Sequence, residues 1–208
     1  MKQKSGEHTL LASVIMSSPG PLAVGIGLLM GRSSTQLADF IRRTVEFIAI
    51  IVSWLVYRVT HKDIEFDATY RLRLEQIANQ CVGAAMCLSG MAMLLVAFLS
   101  DRSEKGNVIL GLVIAILGVI TNIWFWLRYR KLDRANPNMI LAVQSKLYRA
   151  KSLVDGCVTI ALTTVAVSPD SAAAHYMDLG GSIVVAIYLV FNGATTLFGR
   201  NAEPAEQL

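Results

Sequence analysis

The sequence predicts an all-α membrane protein with six transmembrane helices. Of its 208 residues 54% are hydrophobic and only 16% are charged, whereas soluble domains carry about 25% charged residues. A water-soluble fold of this length leaves much of its surface exposed and has no room to hide so much apolar area. This composition is typical of a protein surrounded by lipid. Six apolar runs predict its membrane-spanning segments.

Four of the six apolar runs reach the length of about 20 residues that a helix needs to cross a bilayer, and the second and fifth are shorter. The first run follows two lysines, as in a signal peptide, but its apolar core is too long for one, so we expect it to be retained. We expect residues 1–200 to form the transmembrane domain and 201–208 a short, disordered cytoplasmic tail. The runs are 9–31, a second that ends at Tyr57, 74–99, 108–127, a fifth that ends near Val167, and 177–198.

The lysines and arginines fall on one side of the membrane when six spans are drawn. Cytoplasmic loops of membrane proteins carry an excess of these residues, so both termini should be cytoplasmic, and we expect a bacterial inner membrane. Because the bases cluster beside hydrophobic runs, the net charge of +4 does not indicate a nucleic-acid partner. The basic residues of this side are Lys2, Lys4, Arg58, Lys62, Arg71, Arg73, Arg128, Arg130, Lys131 and Arg134.

The second and fifth predicted helices must carry charge into the membrane. Their uncharged apolar runs, 47–57 and 156–167, are too short to cross a bilayer, so each helix has to extend backwards over charged residues. For the fifth helix we expect Pro137 at the first helical position and Asn136 as the N-cap.

Two charged pairs then lie near the middle of the membrane. A spacing of i, i+4 places the two members of each pair on one helix face, and a rise of about 1.5 Å per residue puts the acids deep in a core about 30 Å thick. Charge at this depth costs at least ~2.5–3.5 kcal/mol per residue and faces a cavity or a partner. Either a substrate or proton site, or a salt-bridge cluster that only fixes helix packing, satisfies this rule. The four residues, called the quartet below, are Arg42, Glu46, Lys151 and Asp155.

Several short motifs follow one another along the chain. They are Leu37-Ala38-Asp39 with Glu46 and Arg58, then Tyr70 to Glu75, then Asn122 with Arg128 and Arg130, then Lys151 to Asp155, and Met177-Asp178 with Ala186 to Asn192. Their order resembles the transmembrane domain of the cation diffusion facilitator family. The resemblance covers nearly the whole chain and predicts the same six-helix bundle. Asp39 and Arg43 accompany the quartet on the second helix, where we expect solvation near the interface.

The resemblance implies export of divalent metals, usually zinc, in exchange for protons. The family's transport site holds four Asp or His side chains, two from helix two and two from helix five, and the quartet occupies the matching positions. Each helix here keeps its acid but has a base as the first member. Arg cannot ligate a metal and Lys is protonated at ordinary pH, so a zinc site is not expected. After the sixth run we expect only the short tail and not the family's usual metal-binding and dimerising domain.

Two hypotheses of different classes remain open. One is a secondary transporter of the cation diffusion facilitator type, exchanging a cation for protons, with an altered substrate. The alternative is a non-transporting relative that acts as a partner or regulatory membrane subunit with a fixed ion-pair cluster. A cavity that reaches Glu46 and Asp155 favours transport, whereas pairs sealed from water favour the alternative. We expect no cofactor and no enzymatic activity; the expected partners are the lipid bilayer, a small cation or proton, and a second copy of the chain.

Two other groups of residues could bind metal ions less tightly than a transport site. His61 precedes Asp63, Glu65 and Asp67, which predicts either a weak loop site or a solvated loop. Cysteines and methionines of the third helix suit Cu(I), but thiols and thioethers in apolar helices usually pack, so we expect buried, unreactive cysteines. The three cysteines are Cys81, Cys87 and Cys157.

Overall fold

The computed structural model describes residues 2–30, 34–61, 67–99, 108–167 and 172–198. The predicted tail, 201–208, lies outside this range. Within the described residues the chain is helical and contains no strand. The helices are α1 (Lys2–Ser17), α2 (Pro19–Met30), α3 (Ser34–Thr60), α4 (Ala68–Leu99), α5 (Val108–Ala135), α6 (Met139–Val167) and α7 (Ala172–Phe198).

Helices α1 and α2 together make the first of six membrane crossings. The segment Ser5–Ile26 is long and apolar enough to span a bilayer, yet the helix breaks at Ser18. Pro19 causes the break because its ring has no N–H to continue the helical ladder and suits the first position of a new helix. The Ser18 hydroxyl donates a 2.9 Å hydrogen bond to the Ile15 carbonyl and closes the end of α1.

The outer surface of the bundle is apolar, as expected for a chain solvated by lipid. Large hydrophobic side chains are exposed on every crossing helix, which would be costly in water. Ala68–Leu95 in α4 is a second described segment that is apolar enough to span by length and composition, while α3 and α6 carry the charges that the sequence predicted. Exposed examples are Ile15, Leu22, Ile48, Leu55, Leu95, Leu117, Ile120, Ile160, Val184 and Phe191.

Six crossings place the start of α1 and the end of α7 at the same end of the bundle. We call this the basic end; α3 and α5 finish there and α4 and α6 begin there. It carries Arg58, Arg71, Arg128 and Arg134. A hydrogen bond of 2.9 Å from Arg128 to the Ser5 hydroxyl joins α5 to the start of α1.

The N-cap of α6 differs from the one predicted. Asn138, and not Asn136, precedes the helix, and its side-chain oxygen accepts hydrogen bonds from the backbone N–H groups of Ile140 (2.9 Å) and Leu141 (3.3 Å). These are the second and third helical residues, the donors that an N-cap normally satisfies. Pro137 consequently lies one residue before the cap and not inside the helix. The prediction was wrong by two residues because both Asn side chains suit the role by composition.

Small residues allow α4 and α7 to pack closely. A Cβ added at Gly193 would lie 2.7 Å from the Gly83 carbonyl oxygen and 2.6 Å from the Cys87 sulfur, so only glycine fits there. The Cys87 thiol contacts the Val190 carbonyl at 3.7 Å. The three cysteines are half-buried and form no disulfide, so they are less buried than the sequence predicted.

Gly193→Ala should destabilise the bundle, since the new methyl group meets the backbone of α4. We expect a loss of about 1–3 kcal/mol, typical of overpacking, seen as a lower thermal unfolding midpoint in detergent. Gly180→Ala is the matched control, because no atom lies within 4 Å of its added Cβ. Equal midpoints for the two variants would show that α4 and α7 do not pack this closely.

Candidate functional site

Three helices meet at the carboxylate of Glu46. This side chain lies inside the bundle on α3 and is only 3% exposed. The Ser89 hydroxyl of α4 donates a hydrogen bond of 2.8 Å to its Oε1. The Lys151 Nζ of α6 lies 3.2 Å from Oε2, and the Arg42 Nη1 lies 3.8 Å from Oε1. Glu46 is therefore neutralised by bases from its own helix and from α6.

Asp155 brings a fourth helix, α5, to the same place. The Asn122 side-chain amide donates a hydrogen bond of 2.7 Å to Oδ2 of Asp155. A Cβ at Gly118 would lie 2.6 Å from that oxygen, so glycine permits the carboxylate to lie against α5. Arg42 and Lys151 are near enough to act electrostatically on Asp155. The two acids thus lie in one field of positive charge.

A cavity of about 460 Å³ borders all four members of the quartet. The break between α1 and α2 forms part of its wall through Ser17, Pro19 and Gly20, and Tyr148 of α6 contributes an aromatic face. The Nζ of Lys151 lies 5.3 Å from the centre of the Tyr148 ring, close enough for a cation–π interaction. Space beside the charges means that the ion pairs are not sealed on every side.

The structure places the three predicted neighbours of the quartet, Asn122, Arg43 and Asp39, in different surroundings. Asn122 lies on the cavity and holds Asp155. Arg43 was expected in solvent near the interface, but it is half-buried and lines the cavity, because α3 turns it towards the break in the first crossing, where a Cβ at Gly20 would lie 3.6 Å from its Nη1. The side chain of Asp39 lies outside the described residues.

Sequence reasoning missed several residues of this site. Ser89 was overlooked because a serine within an apolar helix has no local signature, and Gly118 because helical glycines usually indicate packing. The break between α1 and α2 was also missed, although the sequence has two prolines, Pro19 and Pro21, close together within an apolar run. Tyr148 could have been predicted, because it precedes Lys151 by three residues and therefore lies on nearly the same helix face.

The other predicted metal sites gain no support from the part of the chain that the structure describes. No group of three His, Cys, Asp or Glu residues there is placed to hold a metal ion. His61 stacks on Tyr57 with ring centres 4.0 Å apart, and Arg71 lies 3.3 Å from its Nε2. Burial, aided by the Arg71 charge, lowers the pKa of His61. Asp63 and Glu65 lie outside the described residues.

Lys151→Ala should destabilise the protein because it leaves part of the Glu46 charge uncompensated in the bundle. Removing one partner of a buried pair costs about 3–5 kcal/mol, and we expect the lower end because Arg42 and Ser89 remain. Adding Glu46→Gln should restore part of the loss in thermal stability. Lys146→Ala, an exposed lysine on the same helix, is the control. A double variant at least as unstable as the sum of the two single variants would contradict the ion pair.

Comparison with known proteins agrees with this architecture. The family model described as the cation efflux transmembrane domain matches residues 10–198, which include the quartet, most of the first crossing and the other five. A search of curated proteins finds no match. Members of the family are membrane transporters and not enzymes. The chain therefore belongs to the cation efflux family of integral membrane cation transporters.

Proposed function

We propose that the protein exchanges a monovalent cation for a proton, with the ion pair between Glu46 and Lys151 as the exchange site. The single observation that carries this proposal is the cavity beside the pair, with Lys151 Nζ 3.2 Å from Glu46 Oε2. Because Glu46 and Lys151 both line this space, a cation inside it lies next to the carboxylate. The ammonium group that it must displace lies directly beside it.

The charges of the quartet limit which cation can be carried. Arg42 cannot lose its proton in a protein, so it permanently offsets one of the two carboxylates. Lys151 can lose its proton, and it offsets the other. The quartet therefore has one exchangeable positive charge, which equals the charge of a monovalent cation.

Exchange at this site keeps the charge of the membrane interior constant. As the cation binds, Lys151 leaves Glu46 and releases one proton to water, becoming a neutral amine. When the cation departs, Lys151 takes up a proton and pairs with Glu46 again. Because each step replaces one positive charge with another, neither state leaves an uncompensated ion in a low-dielectric medium.

The available ligands favour a hard cation over zinc. Carboxylate, hydroxyl and amide oxygens suit hard cations, whereas zinc prefers cysteine, histidine and carboxylate in a tetrahedral set. A divalent ion would also add a charge that Lys151 alone does not offset, while Arg42 and Arg43 repel it. The cavity is lined by carboxylate, amide and hydroxyl side chains, those of Glu46, Asp155, Asn122, Ser17, Thr121 and Tyr148.

The proposed setting follows from the distribution of basic residues. We infer that the basic end is cytoplasmic and that the membrane is a bacterial inner membrane. We also infer a homodimer, the assembly typical of cation efflux proteins. Extrusion of the cation would then draw protons inwards.

A regulatory subunit is the second candidate, and the burial of Glu46 favours it. This carboxylate is held by a serine and two bases. The same arrangement suits a fixed ion-pair cluster that only holds the helices together. A fixed ion-pair cluster does not require the cavity beside Lys151 and Asp155, and for this reason we favour transport.

Proteoliposomes test the proposal against this alternative. Purified protein with a proton gradient imposed across the membrane should move Na⁺, K⁺ or Li⁺ faster than empty vesicles, and should not move Zn²⁺. Glu46→Gln and Lys151→Ala should each reduce the flux to background, because each removes one half of the exchange pair. Lys146→Ala should retain wild-type flux.

Zinc flux in the wild type that Lys151→Ala leaves intact would contradict the proposed chemistry. No flux of any cation under these conditions would favour the regulatory subunit.

A further inference from the structure

One face of α1 carries a hydroxyl group at every fourth residue. A spacing of four residues places these side chains above one another along the helix, over about 18 Å at a rise of 1.5 Å per residue. The row runs from the basic end to the cavity. Its members, called the hydroxyl stripe below, are Ser5, Thr9, Ser13 and Ser17.

Side chains of α5 contact the lower part of this stripe. At the basic end, Arg128 donates a hydrogen bond of 2.9 Å to Ser5. Further in, the Tyr129 hydroxyl donates a hydrogen bond of 2.7 Å to the Ser13 oxygen and lies 3.4 Å from the Thr9 carbonyl oxygen. Ser13 and Tyr129 are fully buried, so these hydroxyls have been brought into the bundle at a cost in solvation.

The upper end of the stripe reaches the exchange pair through α6. The hydroxyl groups of Ser17 and Tyr148 lie 3.2 Å apart, within hydrogen-bond distance. Both residues line the cavity, and the Tyr148 ring lies beneath the Lys151 ammonium group. Hydroxyl groups therefore extend from the basic end to the residue that carries the exchangeable proton.

A buried amide one turn from Tyr148 on α6 has no hydrogen-bond partner among the described residues. Gln144 precedes Tyr148 by one turn on the same face of α6 and is fully buried. Neither its Oε1 nor its Nε2 has a hydrogen-bond partner within the described part of the chain. Buried amides are normally satisfied by protein or by ordered water, and internal water molecules typically make about three hydrogen bonds to such groups. A water molecule can both donate and accept, which is what the two unpartnered atoms of this amide require.

We propose that the hydroxyl stripe, with Tyr129, Tyr148 and Gln144, forms a hydrated path that carries protons between the basic end and Lys151. Its role in exchange rests on the proposed function, whereas its hydration does not. Successive hydroxyls of the stripe are about 6 Å apart along the axis, so a water molecule must join each neighbouring pair. A hydroxyl group both donates and accepts, which suits it to this relay.

The relay conserves protons and involves no change of oxidation state. The proton that Lys151 releases forms an O–H bond with the first water, which gives another proton to the next oxygen. At each oxygen one O–H bond forms as another breaks, until a proton enters the water at the basic end. Uptake of a proton by Lys151 follows the same steps in reverse.

Radiolytic labelling by hydroxyl radicals tests for the water directly. Radicals generated from bound water oxidise adjacent side chains, so Tyr129 and Tyr148 should be labelled in the wild-type protein in nanodiscs despite their burial. Met86, which is fully buried on α4, is the internal control and should be protected. Tyrosines as protected as Met86 would overturn the proposal.

Transport tests the relay in proteoliposomes that contain a pH-sensitive dye. Ser13→Ala and Tyr129→Phe should slow proton movement and cation exchange together, while cation affinity in detergent stays unchanged. Ser18→Ala is the matched control, because this serine lies off the stripe while its hydroxyl, like those of Thr9 and Ser13, donates to a backbone carbonyl of α1. Wild-type exchange rates in both stripe variants would overturn the relay. Absence of exchange in the wild type would count against the proposed function alone, and the labelling result then decides the hydrated path.

Discussion

A carboxylate buried in the membrane needs a compensating charge, and the centre of this bundle is organised around that need. Glu46 receives Lys151 from α6, Arg42 from its own helix and a hydrogen bond from Ser89 of α4. A lone charge at this depth would be strongly penalised, so α3, α4 and α6 are tied to one another by a single side chain. The same constraint links binding to proton release, because a cation can replace a base at Glu46 only if positive charge leaves.

The broken first crossing borders the space in which we propose that this replacement takes place. Pro19 ends the α1 helix in the middle of the membrane, and the break lines the cavity beside Lys151. An unbroken helix would satisfy its own backbone and bring a continuous wall of side chains to this position. The break also brings Ser17 to the cavity, so the polar face of α1 ends at the space that Lys151 lines. The helix break at Pro19 therefore forms part of the cavity that the charged quartet borders.

Much of the fold was predictable because hydrophobic length and charge patterning act along the chain. The apolar runs predicted six crossings, and the i, i+4 spacing of the quartet predicted that its members share faces and depth. Contacts between distant segments were not predictable in this way. Ser89 lies 43 residues from Glu46, and nothing local distinguishes it from a packing serine. The choice of Asn138 over Asn136 as a cap depends on where the loop ends, and the inward position of Arg43 depends on the space left by the broken first crossing.

Proton release on cation binding tests the central claim most directly. Purified wild-type protein in weakly buffered detergent solution would be titrated with NaCl, KCl or LiCl while a pH indicator records the protons set free. The account predicts about one proton released for each monovalent cation bound, as expected when a cation displaces a proton from its ligands, and no release from Lys151→Ala. Cation binding without proton release, or the same release from wild type and Lys151→Ala, would show that the pair between Glu46 and Lys151 is not the exchange site.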